Sequence, residues 1–417
     1  FFCARQRQPQ LAPSVNLGPS MSTFPALGGL RGICSILIVT GHFFTFFAPT
    51  NTDKYPTATI DYLPPVTLFF ILSGFLLGVI YQDKLEEWPQ RKDFWIKRFA
   101  RIAPMYYFSL LVALPVLIAY SKTFDLVSAL ILTPLFLQSL TLIGNAWNGP
   151  LWQTSTLALC YLIYPFFLKF IRHRNPWIWG TLCYLFSFAL YIGTLIIGAP
   201  TIAHIWFVAR VPHFFIGVMM GIKYPKDATD AKLREPLINA EQSPTIREPP
   251  TSSSLKDTVY LELLTFIQFS VFMFCLIVGF YKHAKYWWLI AFTEEFIMVP
   301  VYCLWIYYLC RVNRGITFAF FTSWLMDRLG DLSYSIYVLH FPIFFLFSWL
   351  KEQKVVEMQK IDADNTDAEG PFALDNYELL SGLAIVICCS CVTVHYIENP
   401  ARDWIVKRYG RATKVRN

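Results

Sequence analysis

The stretch Leu27-Gly-Gly-Leu-Arg31-Gly-Ile-Cys-Ser-Ile-Leu-Ile-Val-Thr-Gly-His42 lies in an apolar segment of membrane-spanning length and carries two ionisable residues. A helix of about 20 predominantly apolar residues spans a bilayer. Helix geometry returns Arg31 and His42 to within about 20° of the same face, roughly 16 Å apart along the axis. Ionisable groups inside a span are costly and usually functional. The segment therefore predicts a membrane helix that aims a cation near one end and an imidazole near mid-membrane into one cavity.

The whole chain has the composition of a membrane protein. Of its 417 residues, 55% are hydrophobic, 18% are aromatic and only 15% are charged. Soluble domains carry roughly 25% charged residues, so a core this apolar lacks the polar surface that water requires. Most of the ten cysteines fall in apolar segments, where they act as small hydrophobic residues, and we expect no metal site. Because the basic residues form short clusters between apolar runs, they indicate membrane topology and argue against nucleic acid binding.

Apolar segments of spanning length predict an all-α, polytopic membrane helix bundle of about ten transmembrane helices. The predicted spans are 27–48, 62–82, 99–120, 151–171, 176–198, 201–222, 259–280, 286–310, 331–350 and 379–397. We treat a further apolar stretch, 124–143, as a re-entrant or partial segment. Most of the 35 Lys and Arg residues then fall on one side, together with both termini. The excess of basic residues in cytosolic loops therefore predicts that both termini are cytosolic.

The polar segments outside the spans divide the chain further. We expect a polar, flexible N-terminal extension at 1–25, a transmembrane domain at 26–404 and a basic cytosolic tail at 405–417. The loop 223–258 mixes charges of both signs with a Pro/Ser-rich run, which predicts a flexible cytosolic linker. The loop 351–378 carries eight acidic residues and is predicted to lie on the extracytosolic side.

Two further clusters place polar side chains in or beside spans. Arg98 and Arg101 are i, i+3 neighbours, and paired guanidinium groups suit phosphate because they offer bidentate donors. Ser333, Tyr337 and His340 share one helical face, with His340 about 13–15 Å deep, close to the depth expected for His42. The plainer explanations are an ordinary basic patch for the arginines and packed, hydrogen-bonded side chains for the others.

Taken together, these segments resemble the acyltransferase 3 family of integral membrane O-acyltransferases. The resemblance runs collinearly from about residue 26 to 404, and each motif is weak alone but specific in this order. Its motifs here are Arg31 and His42 with ten residues between them, Arg98-Phe-Ala-Arg101, Phe69-Phe-Ile-Leu-Ser-Gly-Phe-Leu-Leu77, Ser333-Tyr-Ser-Ile-Tyr-Val-Leu-His340-Phe-Pro342 and Glu398-Asn-Pro400.

The resemblance implies an enzyme that moves an acyl group, most simply acetyl, from acyl-CoA to a hydroxyl of a carbohydrate, lipid or small molecule. Acyl-CoA would be a co-substrate, with no bound cofactor. His42 would be the general base, since an imidazole titrates near neutral pH. The resemblance further implies catalysis by His42 and Arg31, donor binding by Arg98 and Arg101, and a cavity for the acceptor lined by Ser333, Tyr337, His340, Trp152 and Glu398.

One departure from the family pattern leaves other functions open. An acidic residue is expected between Trp152 and the motif Tyr161-x-x-x-Pro165, but Leu157 or Ala158 occupies its position. The protein is then either an acyltransferase with a different acceptor or a non-catalytic member. A transporter or channel for an anionic solute would use the same buried His and Arg residues and is the third possibility.

The predicted topology makes the acidic loop reachable from outside the cell or compartment. We expect Asp364→Cys to react with a membrane-impermeant thiol reagent in intact cells, with the unsubstituted protein as the background. Labelling that requires permeabilisation would contradict the ten-span arrangement.

Overall fold

Helices make up the whole regular structure of the computed structural model in the part of the chain that it describes. The described residues are 24–47, 65–119, 128–140, 148–198, 202, 206–224, 254–282, 292–361 and 376–410. The predicted all-α class is confirmed. The α-helices are α1 (Pro25–Phe46), α2 (Pro65–Tyr81), α3 (Trp88–Val112), α4 (Leu114–Ala119), α5 (Leu151–Ile171), α6 (Pro176–Ile196), α7 (Phe207–Ile222), α8 (Leu255–Lys282), α9 (Met298–Arg311), α10 (Ile316–Phe321), α11 (Trp324–Ile361), α12 (Asn376–Thr393) and α13 (Asn399–Tyr409).

Several of these helices have the length and hydropathy of membrane spans. Two shorter apolar helices, Val66–Tyr81 and Phe207–Ile222, accompany six full-length candidates, and all eight overlap predicted spans. The protein is therefore an integral membrane helix bundle, as the composition predicted. The six full-length candidates are Pro25–Phe44, Leu151–Ile171, Pro176–Ile196, Leu255–Cys275, Trp324–Lys351 and Tyr377–Tyr409.

Three predicted spans begin or end at other residues than the apolar pattern indicated. Helix α3 starts at Trp88 rather than 99, because Gln90 accepts hydrogen bonds from the backbone N–H groups of Glu86 (2.9 Å) and Glu87 (3.2 Å) and caps a polar first turn. Helix α11 extends the predicted span 331–350 in both directions, since its charged ends continue the helix beyond its apolar centre. The described part of the predicted span 286–310 is a π-helical turn at Thr293–Ile297 followed by α9.

Two predicted boundaries of polar segments also fall inside helices. Helix α8 begins at Leu255, within the predicted linker 223–258, where Ser254 Oγ accepts a hydrogen bond from the backbone N–H of Lys256 (3.3 Å). Helix α13 crosses the predicted start of the tail at 405. Residues 225–253 of the linker and 362–375 of the acidic loop lie outside the described residues.

Two pairs of parallel helices form the centre of the bundle, and glycines let them approach closely. Gly74 of α2 faces the backbone of α7 at Phe214, and Gly217 of α7 faces the backbone of α2 at Ile71. A Cβ atom at either glycine would overlap the partner helix's carbonyl oxygen. Small residues at such crossings are the usual basis of tight helix packing in membranes. Helices α1 and α11 meet in the same way, where Gly32 lies against the backbone of α11.

The ambiguous segment 124–143 forms no continuous helix in its described part, 128–140. It consists of a π-helical turn, Ser128–Leu132, and a 3-10 turn, Gln138–Leu140. Tyr106 of α3 donates to the carbonyl oxygen of Thr133, and Ser155 of α5 donates to that of Phe136, each over 2.6 Å. Non-helical backbone at membrane depth needs protein partners of this kind.

Side chains of neighbouring helices donate to backbone carbonyls that lie four residues before prolines. Pro165 has no N–H, so it leaves the carbonyl of Tyr161, four residues earlier, without its helical donor. The indole of Trp95 donates to that oxygen over 3.1 Å. The Tyr184 hydroxyl likewise donates to the carbonyl of Phe296, four residues before Pro300, over 3.5 Å. Each such contact ties a helix to its neighbour.

The crossing of α2 and α7 should tolerate no side chain at its glycines. We expect Gly74→Ala to lower the free energy of unfolding by about 1–3 kcal/mol, because the added methyl overlaps fixed backbone. Thermal unfolding of the purified protein in detergent measures this. The matched control is Gly180→Ala on α6, where a Cβ atom meets nothing within 4 Å. Equal unfolding midpoints for the two variants would contradict the close crossing.

Candidate active site

Two histidines from the parallel helices α1 and α11 contact each other inside the bundle. Nδ1 of His42 lies 2.8 Å from Nε2 of His340, and the rings stack at 5.1 Å with 19° between their planes. His340 is fully buried, and its Nδ1 lies 2.6 Å from the carbonyl oxygen of Tyr337. The sequence predicted similar depths for the two histidines but no contact between them.

The hydrogen-bond network assigns the tautomers of both rings. A carbonyl oxygen only accepts, so Nδ1 of His340 carries the proton that it shares with Tyr337. In the neutral ring, Nε2 of His340 is then the acceptor, and Nδ1 of His42 must be the donor to it. The lone pair of neutral His42 therefore resides on Nε2. This tautomer gives Nε2 of His42 the lone pair that a general base requires.

Aromatic side chains surround the histidine pair. The Phe341 ring meets the rings of both histidines nearly edge-on, at 6.5 Å from His42 and 6.3 Å from His340. Phe46 lies 5.8 Å from His42. The hydroxyl of Tyr337 donates to the carbonyl of Pro150, just before α5. These contacts place apolar rings beside the histidine pair, and an apolar environment strengthens electrostatic interactions with a reacting group.

A second polar cluster lies nearer the first residue of α1 and contains three arginines. Nη2 of Arg31 donates to the carbonyl oxygen of Gly330 on α11 over 2.8 Å. Arg101 of α3 forms an ion pair with the fully buried Glu398, and Ser335 donates to the second carboxylate oxygen over 2.8 Å. Arg31 lies within electrostatic reach of both Arg101 and Glu398. The cluster therefore joins α1, α3, α11 and the segment before α13.

Arg98, the third arginine, is held differently from Arg101. Its guanidinium carbon lies 5.4 Å from the Tyr81 ring centre, 5.6 Å from Phe94 and 6.0 Å from Tyr161. The Tyr81 hydroxyl accepts a hydrogen bond from Nη2 of Arg98 over 3.2 Å. Nε of Arg31 and Nε of Arg98 are buried and make no hydrogen bond within the described part of the chain. Two buried, unused donors beside three cations are suited to an anionic ligand.

The two clusters lie at different depths along the same pair of helices. Arg31 contacts α11 at Gly330, and His42 contacts it at His340, so the pairs are separated by about 16 Å along α1. Helix α1 begins at Pro25 and ends at Phe46, so His42 lies in its last third rather than at its centre. The predicted common face of Arg31 and His42 is thus the face packed on α11.

The other predicted site residues are distributed over both clusters. Tyr337 lies beside His340. Glu398, predicted to line the acceptor cavity, instead forms an ion pair with Arg101 in the arginine cluster. Ser333 is buried and donates to the carbonyl of Gly330 in its own helix. Trp152 is the second residue of α5, with its ring 6.4 Å from Phe70 and beneath the guanidinium of Arg210.

Sequence reasoning missed several buried polar residues near these clusters. Arg210 is fully buried in α7, where it donates to the Thr67 hydroxyl over 3.0 Å. An arginine within an apolar span was a signal for it in the sequence. Asn148 and Gln153 are also buried, but single amides beside a turn give no such signal. Leu157 and Ala158, at the position of the expected acid, pack against the hydrophobic core. Within the described residues, no three His, Cys, Asp or Glu side chains group as metal ligands would.

Comparison with known proteins gives a family and two partial relatives. The acyltransferase-domain model of the acyltransferase 3 family matches residues 24–395. The chain is 30% identical over 166 residues to acyltransferase MdmB of Streptomyces mycarofaciens, which covers 37% of this chain and 41% of that protein. It is 38% identical over 88 residues to protein 2 in the picA locus of Rhizobium radiobacter, covering 21% and 42%. In each match the chain spans about two fifths of the relative's length. No solved structure matches the chain.

The ion pair between Arg101 and Glu398 should be asymmetric in its contribution to stability. Glu398 is fully buried, whereas Arg101 is 29% exposed. Arg101→Met therefore leaves a buried, uncompensated carboxylate and should destabilise by about 3–5 kcal/mol, and Glu398→Gln should cost less, because Arg101 can reach water. Thermal unfolding of the two variants and of the double variant measures this. A double variant no more stable than Arg101→Met alone would contradict the pairing.

Proposed function

Because the chain belongs to the acyltransferase 3 family, we propose that it is an O-acyltransferase that moves an acyl group, most simply acetyl, from acyl-CoA to an acceptor hydroxyl. The family predicted from the sequence is confirmed. The acceptor class that we propose is a carbohydrate, a lipid or a small molecule. The observation that carries the proposal is the series of hydrogen bonds from His42 through His340 to the carbonyl of Tyr337. This series puts the lone pair of His42 on Nε2.

The histidine pair supplies the proton transfers of the reaction. Nε2 of His42 takes the proton of the acceptor hydroxyl, and the hydroxyl oxygen forms a bond to the thioester carbonyl carbon. The carbon–sulfur bond then breaks, and His42 returns its proton to the sulfur, so coenzyme A leaves as the thiol. The acyl group passes directly to the acceptor, without an acyl-enzyme intermediate. His340 does not touch the reactants and holds His42 in the required tautomer.

The arginine cluster is the proposed donor site. The cluster carries the three positive charges of Arg31, Arg98 and Arg101 and the negative charges of Glu398 and the exposed Asp331. The Nε atoms of Arg31 and Arg98 are buried and make no hydrogen bond within the described residues. Coenzyme A carries its phosphates at one end and its sulfur at the other, joined by the pantetheine arm. An extended arm bridges about 16 Å along α1. Phosphates on the arginines therefore bring the thioester to the level of His42.

We also propose the ten-crossing topology with both termini in the cytosol. Two contacts between helix ends support this topology. The start of α1 and the end of α7 meet where Phe24 contacts Tyr224 at 5.9 Å, as required if both ends lie on one face. Arg172, after α5, pairs with Glu86, before α3, so these ends share a face and 128–140 makes no net crossing. The arginine cluster then faces the cytosol, where acyl-CoA is available.

Thioester consumption separates acyl transfer from transport. Purified protein in lipid nanodiscs is supplied with radiolabelled acetyl-CoA and a panel of hydroxyl-bearing glycans, lipids and small molecules. We expect release of free coenzyme A and transfer of label only when a suitable acceptor is present. Uptake of labelled anionic solutes into proteoliposomes without thioester cleavage would contradict the proposal and support a transporter.

Loss of the general base gives the sharpest variant test. His42→Ala should lower turnover per folded molecule by about 10²–10⁴-fold, while binding of a non-reactive coenzyme A analogue stays unchanged. The matched control is His173→Ala, an exposed histidine in the turn after α5, which should keep normal turnover. Near-normal turnover in folded His42→Ala would end the assignment of His42 as the base.

A further inference from the structure

We infer that Asn148 is a positioning residue for the histidine pair, through a backbone carbonyl of α11 that Pro342 leaves without its helical donor. This inference rests on the proposed function. Asn148 lies in the short segment before α5 and is fully buried. Neither the sequence motifs nor the family resemblance singled it out.

The carbonyl in question belongs to Val338. In a regular helix its oxygen would accept the N–H of the residue four positions later, but that residue is Pro342, which has none. Nδ2 of Asn148 donates to the Val338 oxygen over 3.0 Å. A buried carbonyl without a partner costs about 1–3 kcal/mol, so this contact replaces a bond that the helix itself cannot make.

The orientation of the Asn148 amide follows from its neighbours. Nδ2 also lies 3.4 Å from Oγ of Ser109, whose own proton goes to the carbonyl of Tyr106 over 2.8 Å. Ser109 and Val338 therefore both present acceptors, and only the NH₂ group of Asn148 can face them. Oδ1 points elsewhere, and it is buried without a hydrogen bond in the described part of the chain. The contact with α11 thus depends on the amide donor.

The Val338 carbonyl lies in the turn of α11 that carries His340, the partner of His42. Val338 lies between Tyr337, whose carbonyl fixes Nδ1 of His340, and His340 itself. The same segment before α5 contacts this turn a second time, where Pro150 accepts the Tyr337 hydroxyl. The segment 148–150 therefore forms hydrogen bonds with residues 337–340 at two points, through Asn148 and through Pro150. If the first contact is lost, this turn loosens, and Nε2 of His340 no longer holds Nδ1 of His42.

A double-mutant cycle with Pro342 tests this route. Pro342→Ala supplies the missing N–H, so the Val338 carbonyl regains a helical donor and no longer needs Asn148. We expect Asn148→Ala to lower kcat about tenfold, the fold-change matching loss of one such hydrogen bond, with the KM for acetyl-CoA within about twofold. In the Pro342→Ala background, Asn148→Ala should lower kcat less than about threefold.

Three outcomes overturn the inference: unchanged kcat in Asn148→Ala, the same fold-loss in both backgrounds, or a rise in KM without loss of kcat. If Asn148→Ala fails to fold, a folded double variant supports the route through Val338, and a double variant that also fails overturns it. The matched control is Tyr184→Phe, which removes a side-chain donor to the backbone carbonyl of Phe296, four residues before Pro300 and away from the histidines. Its kcat should equal that of the wild type.

A substrate-free readout separates this inference from the proposed function. Diethyl pyrocarbonate modifies unprotonated imidazole nitrogens, and peptide mass spectrometry reports the modification rate at His42. We expect Asn148→Ala to change that rate several-fold and the double variant to restore it, since His340 sets the proton position in His42. An unchanged rate in Asn148→Ala overturns the inference whether or not the wild type transfers acyl groups. Absence of turnover in the wild type, with this rate pattern intact, contradicts only the proposed function.

Discussion

The hydrogen bond between Nδ1 of His42 and Nε2 of His340 is the constraint on which the rest of the site depends. Two imidazoles placed among lipid-embedded helices need partners, because unsatisfied polar groups are costly there. The contact between the two imidazoles fixes the register of the parallel helices α1 and α11. Gly32 allows these helices to approach closely. That register also places Arg31 on the carbonyl of Gly330. Position, tautomer and helix packing are thus set together.

The site has two ends with different chemistry. The arginine end carries charge and buried donors that suit phosphate, and the histidine end is lined by aromatic rings. Separation along α1 keeps the guanidinium groups from directly repelling a developing imidazolium, since Coulomb energy falls with distance. A long donor molecule whose phosphates and thioester lie at opposite ends matches this layout. The segment before α5 supports the histidine end from outside, through Asn148 and Pro150.

Much of the bundle followed from apolar length and charge in the sequence. The predicted span 151–171 matches α5, and the predicted start at 176 matches α6, where Asn175 caps the backbone N–H of Trp177. The start of α3 was missed because its first turns are charged, although Glu87 and Gln90 formed a recognisable cap. Spacing along one helix also predicted that Arg31 and His42 share a face, and that face is packed on α11.

Contacts between helices distant in sequence could not be predicted in the same way. The pairing of Glu398 with Arg101 depends on how the last helices fold back onto α3, which no local pattern encodes. Nor does the sequence tell which carbonyl a buried amide will satisfy. The sequence does give the proline positions, and a proline inside a helix leaves the carbonyl four residues earlier without its helical donor. The contact of Asn148 with the Val338 carbonyl follows only from the three-dimensional fold.

The most direct test of the central claim is a cryo-EM structure of the protein in nanodiscs with a thioether analogue of acetyl-CoA that cannot transfer its acyl group. The account predicts phosphate density against Arg31 and Arg98 and the analogue's carbonyl carbon within reach of an acceptor hydroxyl bonded to Nε2 of His42. It also predicts that the His42–His340 contact is retained. An analogue bound with its phosphates away from the arginines, or with its carbonyl remote from His42, would contradict the account.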